Sequence, residues 1–126
     1  MAFNVRVIQA RDFIRATPEG VADLNAAEKL LAELARHADT LEDFDVLVDT
    51  RSMSGSLSAA QLWFLSEQLA RYHGNFAHRT AILCPVERFD HAQFFALCAE
   101  HHGFNIMAFD SYEDAMEWLL NASHLH

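Results

Sequence analysis

Three compact apolar runs stand out along the chain: FDVLV at 44–48, RTAILC at 79–84 and FNIMAF at 104–109. Continuous runs of this kind suit strands that are covered on both faces, as in parallel sheets. Amphipathic segments separate them. Leu24, Ala27, Leu31, Leu34, Ala35 and Ala38 fall on one helical stripe, with Asp23 or Asn25 as cap. Leu62, Leu65, Leu69 and Tyr72 form a second stripe that Ser58 caps and Gly74 ends. A third helix runs from a cap at Asp90 to His102, with Gly103 just past its end, and a fourth starts at Ser111 with Tyr112, Ala115, Met116 and Leu119 inward.

The N-terminal part has a different rhythm. Asn4 to Ile8 and Asp12 to Thr17 predict two short strands joined by Gln9-Ala10-Arg11, an antiparallel hairpin, with Pro18-Glu19-Gly20 as the breaker after it. The predicted order is β-β-α-β-α-β-α-β-α. Strands that alternate with helices give an α/β fold: a mixed, mostly parallel sheet with crossover helices and an antiparallel N-terminal hairpin. No repeat or linker interrupts it, so the 126 residues predict a single domain over 1–126.

Composition narrows the function classes. Hydrophobic residues make up 52% and charged residues 21%, enough for one buried core and too apolar for a disordered chain. Two cysteines do not make a disulfide scaffold. Nine basic against eighteen acidic residues give a net charge of -9, the wrong sign for a nucleic-acid binder. The opening MAFNVRVIQARDF has no basic n-region or long apolar core, and no apolar run approaches the roughly 20 residues of a membrane span. The expected location is the cytoplasm, with reduced thiols.

In an open parallel sheet, ligands bind beyond the carboxyl ends of the strands. Those ends lead into 49–58, 85–90 and 110–111. Arg51 and Arg88 lie in two of these segments, and the serine-rich turn DTRSMSGSLS contributes Ser56 and Ser58. If they converge, Arg51, Ser56, Ser58 and Arg88 line a crevice for a small apolar or anionic ligand; the alternative is that each Arg pairs with a neighbouring acid. Ser58 at a helix start can serve as a plain cap or accept a phosphate. Trp63 and Phe64 exceed the single stripe of their helix, as do Phe94, Phe95 and Trp118 on theirs. They either cover both sides of the sheet or form a partner patch, and Trp63 is the candidate interface residue.

Catalytic patterns are weak. Cys98 and His102 have i, i+4 spacing, but no CxxC or HExxH accompanies them, so no metal is expected. Cys84 before Pro85 would need a histidine partner to act as a nucleophile. The four glycines are scattered, so no Gly-rich phosphate cradle and no nucleotide cofactor are expected.

Taken together, the TPEG turn at 17–20, DVLVDTRS, RTAILCP, the Phe94-Phe95 pair and the ending AFDSYEDAMEWL resemble SpoIIAA-like, STAS-type domains, in particular an uncharacterised bacterial subgroup. The resemblance covers the whole chain. It implies a SpoIIAA-like fold and a non-catalytic binding or regulatory module that acts on a protein partner or a second copy of itself. STAS anti-anti-sigma factors carry an Asp-Ser-Ser-Gly-Leu element whose first serine is phosphorylated. The resemblance places Ser58 at that position, with Leu57 where the acid stands and Ala59-Ala60 in place of Ser-Gly. The subgroup is also similar in fold to CRAL-TRIO lipid-transfer domains, which implies a carrier or sensor of a small ligand as the alternative.

Overall fold

The computed structural model describes residues 4–9, 13–21, 23–38, 45–55, 57–69 and 79–124. The hairpin connection at 10–12, Ser56 and the second helix's expected end at 72–74 lie outside them, as do the side chains of Leu34, Ala35 and Ala38. Strands β1 (Asn4–Gln9), β2 (Phe13–Val21), β3 (Asp45–Asp49), β5 (Thr80–Leu83) and β6 (Ile106–Phe109) lie side by side in the order β1-β2-β3-β5-β6. The pair β1–β2 is antiparallel, and β2–β3, β3–β5 and β5–β6 are parallel.

The order advances in one direction through helices α1 (Leu24–Ala38), α2 (Ala59–Leu69) and α3 (Phe89–His101). Right-handed crossovers that keep moving the same way leave their helices on one face. Accordingly Val46 and Val48 of β3 pack with Leu31, Leu62, Leu65, Leu69, Phe95 and Ala99 from those three helices. The alternate residues Leu47, Ala81 and Leu83 point to the other face. There they meet Ala115 and Leu119 of α4 (Tyr112–His124).

Several local expectations are corrected. Pro18-Glu19-Gly20 does not break the chain but lies inside β2. Pro18 falls between the stretch paired with β3 (13–16) and the one paired with the two-residue strand β4 (Met53–Ser54, at 20–21), where a missing N–H costs no bond to either. Gly20, at φ 116°, supplies the bend that brings the chain to β4. The serine-rich turn, expected to be all loop, thus holds a short strand.

Asp90 does not cap α3. A 3-10 turn at Val86–Arg88 follows Pro85, the helix starts at Phe89, and Asp90 sits in its first turn. The far end of α3 closes as predicted. Gly103, at φ 92°, donates to the Glu100 carbonyl and Phe104 donates to that of Ala99, a Schellman motif with Phe104 buried. Asp23 accepts from the Ala26 N–H at 2.7 Å, and Ser111 from that of Asp114 at 3.3 Å, as the predicted caps of α1 and α4.

Candidate functional site

The carboxyl ends of β3, β5 and β6 form one rim. The Thr50 N–H donates to the Leu83 carbonyl at 2.8 Å, and the Cys84 N–H to that of Phe109 at 2.9 Å, which ties the three exits together. Asp49 to Thr50, Cys84 to Arg88 and Asp110 to Ser111 leave from it, beside the starts of α2, α3 and α4. The sheet divides this rim into two halves of different chemistry.

On the α4 side, Asp49 is 3% exposed, a buried carboxylate. Its Oδ1 accepts from the Arg51 backbone N–H at 3.1 Å and from Arg51 Nε at 2.9 Å; its Oδ2 accepts from Arg51 Nη2 at 2.8 Å and Arg15 Nη2 at 2.9 Å. Both guanidinium groups lie over the Tyr112 ring, 5.8 and 5.9 Å from its centre. Burial pushes the Asp49 carboxyl up, but the hydrogen bonds from the Arg51 side chain, the Arg51 backbone and Arg15 together outweigh it and hold the carboxyl below its ordinary value. Tyr112, expected on the inward stripe of α4, is instead exposed at 36% beside the two guanidinium groups, and Arg15 is not among the site residues the sequence predicts. The available signal was Arg15 itself, a cation between apolar residues of a strand, which needs an acid close by.

On the other side, a partly open cavity of about 170 Å3 lies between the sheet and α1, α2 and α3. Its walls are mainly apolar side chains, and Thr50, Arg88 and His91 stand on its lining. Arg88 donates from Nη2 to the Thr50 carbonyl at 2.7 Å. The expected meeting of Arg51 and Arg88 therefore does not occur. Arg51 is folded onto Asp49 on the α4 face, while Arg88 belongs to the cavity face. Side-chain alternation along β3 decides this, because Asp49 points the way Leu47 does.

Ser58 is exposed and does not line the cavity. Its Oγ accepts from the Gln61 N–H at 3.2 Å, and the Gln61 side chain accepts from the Ser58 N–H at 2.9 Å. This reciprocal pair is a capping box. Ser58→Ala is expected to cost about 1 kcal/mol in urea unfolding; no loss would mean that the box does not hold α2 in solution.

Cys84 Sγ donates to the Phe109 carbonyl at 3.4 Å, and burial raises its pKa against the opposing pull of Arg88. This is a protonated core thiol rather than an activated nucleophile. Burial raises the Cys98 thiol as well. Among the described residues, no three His, Cys, Asp or Glu side chains gather where they could hold a metal ion.

The aromatic residues divide between core and surface. Phe95 is buried, and Trp118 packs on Phe109 with Arg79 stacked on its ring. Trp63, Phe64 and Phe94 are exposed at 41%, 40% and 39%, and Leu97 at 59%. Phe94, Leu97 and His101 follow one another at i, i+3, i+7 along α3. Trp63 reaches His101 and His102 at 5.8 and 5.5 Å between ring centres, so an aromatic stripe spans α2 and α3.

Comparison with solved structures fixes the type of fold. An uncharacterized DUF3478-family protein with a SpoIIAA-like fold from Shewanella loihica superposes with a TM-score of 0.59 at 19% identity, over 93% of each chain. The chain has a SpoIIAA-like fold. An anti-sigma factor antagonist from Mycobacterium paratuberculosis shares it at a TM-score of 0.57 and 14% identity, over 94% of this chain and 95% of its own. The unphosphorylated anti-sigma factor antagonist SpoIIAA does so at 0.53 and 17%, over 94% and 98%. No protein-family model and no curated protein sequence matches the chain. Among the described residues, no helix of this SpoIIAA-like fold is long and apolar enough to cross a membrane.

Proposed function

We propose that residues 1–126 act as one non-catalytic, cytoplasmic STAS-like module that regulates a protein partner through the outer face of α2 and α3. The observation that carries this reading is the exposed stripe of Trp63, Phe94 and Leu97. Large aromatic side chains left in water on adjacent helices are the kind of surface that partner sites enrich. Two of the structures that share the fold are anti-sigma factor antagonists, which supports a regulatory role. The protonated Cys84 thiol and the capping role of the Ser58 hydroxyl agree with a module that does no chemistry of its own.

The test is the double substitution Trp63→Glu and Leu97→Glu, compared with the wild type in cross-linking from bacterial extract and in sedimentation. The wild type is expected to capture a defined protein or to self-associate, and the variant to lose either by tenfold or more with an unchanged circular dichroism spectrum. Identical capture by both proteins, or none by either, would end the proposal. Ser58 caps the start of α2, five residues before Trp63, where a phosphate would meet the free amides of the helix. In the same assay, Ser58→Glu alters partner binding and Ser58→Ala does not if that serine is a phosphorylated switch.

A further inference from the structure

We infer that the cavity beneath α1, α2 and α3 is a binding site for a small one-ring aromatic carboxylate, with Arg88 as its carboxylate receptor. The inference does not rest on the protein-binding reading, because the cavity is on the inner side of the helices whose outer side carries the aromatic stripe.

Size sets the first limit. Sites for drug-sized ligands occupy about 300–1,000 Å3, and an apolar cavity of about 150 Å3 is known to stay dry and take benzene. At about 170 Å3 this cavity fits one six-membered ring and little more. The wall sets the second limit. Leu31, Val48, Leu65, Ile82, Phe95 and Ile106 offer only carbon, so they favour a ring over a sugar or an amino acid.

Charge sets the third. Arg88 is half-buried on the lining, and its hydrogen bond to the Thr50 carbonyl occupies one of its five donors. Among the described residues, no carboxylate pairs with it, in contrast to Arg15 and Arg51, which both pair with Asp49. A half-buried guanidinium facing a carbonyl has its charge unmatched, and a planar carboxylate meets its remaining donors in fork geometry. Asp23, the acid on the same lining, is exposed to water and engaged as the α1 cap, so it opposes an anion less than Arg88 attracts one.

The experiment is calorimetric titration of the whole chain with benzoate and, as the neutral one-ring comparator, benzyl alcohol. Benzoate is expected to bind saturably and at least tenfold more tightly, a factor that corresponds to about 1.4 kcal/mol. Arg88→Gln is expected to abolish that preference, and Ala92→Phe, which fills the cavity from its lining, to block both compounds with the fold retained. Amide chemical-shift changes on the wild type are expected at Cys84, Ala92 and Phe95, which gives a readout independent of any variant. The inference is overturned by absence of saturable heat at roughly 10 mM benzoate, by a preference that survives Arg88→Gln, or by shifts confined to the α4 face.

Discussion

Leu47→Ala is expected to lower the free energy of unfolding by about 3 kcal/mol, within the ~2–5 kcal/mol span of buried leucine truncations. Leu47 is fully buried on the face that α4 covers, among Ala81, Leu83, Ala115 and Leu119. The two alanines let the helix approach the sheet closely, and they leave Leu47, Leu83 and Leu119 to fill the layer. With Leu47 truncated, the contacts that its side chain makes in this fully buried layer are lost. A domain of this size has a total stability of about 5–15 kcal/mol, so the loss should bring a large drop in the urea midpoint. Leu65→Ala, on the other face, borders the cavity and already lacks partner atoms on one side. It should cost less than Leu47→Ala in the same urea series. An equal or larger loss at Leu65 would mean that the cavity is closed in solution.

The contrast between the two faces also shows where the sequence was legible. FDVLV, RTAILC and FNIMAF carry strands because residues covered on both sides must be apolar whatever their neighbours are, and that demand is local. Asp23, Ser58, Ser111 and Gly103 mark helix ends for equally local reasons. Pro18 and Gly20 misled because their meaning depends on which partner strand is present at that point of β2, and that is set by β3 and β4 much later in the chain. Asp90 misled because the 3-10 turn after Pro85 runs directly into α3, which starts at Phe89 and so takes Asp90 into its first turn instead of leaving it as the cap.

The site was harder to read than the fold. Arg51 and Arg88 do exit the same rim, but a one-residue alternation puts them on opposite faces of the sheet, and sequence spacing across a loop does not carry that parity. Arg15 reaches Asp49 only because β2 pairs with β3 in the register that sets Arg15 opposite Leu47. Tyr112 arrives from the last helix. A constellation assembled from three distant segments has no signature in any one of them.

Asp49→Asn is expected to destabilise the protein by about 2 kcal/mol at neutral pH and to remove a pH dependence that the wild type shows in acid. Removing one member of a buried ion pair costs about 3–5 kcal/mol when the other is stranded. Here Arg15 and Arg51 keep 35% and 47% of their side-chain surface and can turn to water, so the smaller figure applies. The asparagine still accepts one guanidinium hydrogen bond through its oxygen, but its amide group turns an N–H toward the other donors. The sign of the pH effect follows from the lowered folded-state pKa of Asp49. An unfolded chain binds this proton near its ordinary value of 3.8, above the folded value. The stabilisation is therefore fully present above about pH 4 and disappears as the pH falls through the folded value. Urea unfolding of both proteins at neutral pH and at steps below pH 4 should show the gap between them narrowing toward acid. Curves that stay parallel through that window would mean that Asp49 keeps its ordinary affinity for the proton and that the two arginines do not hold it.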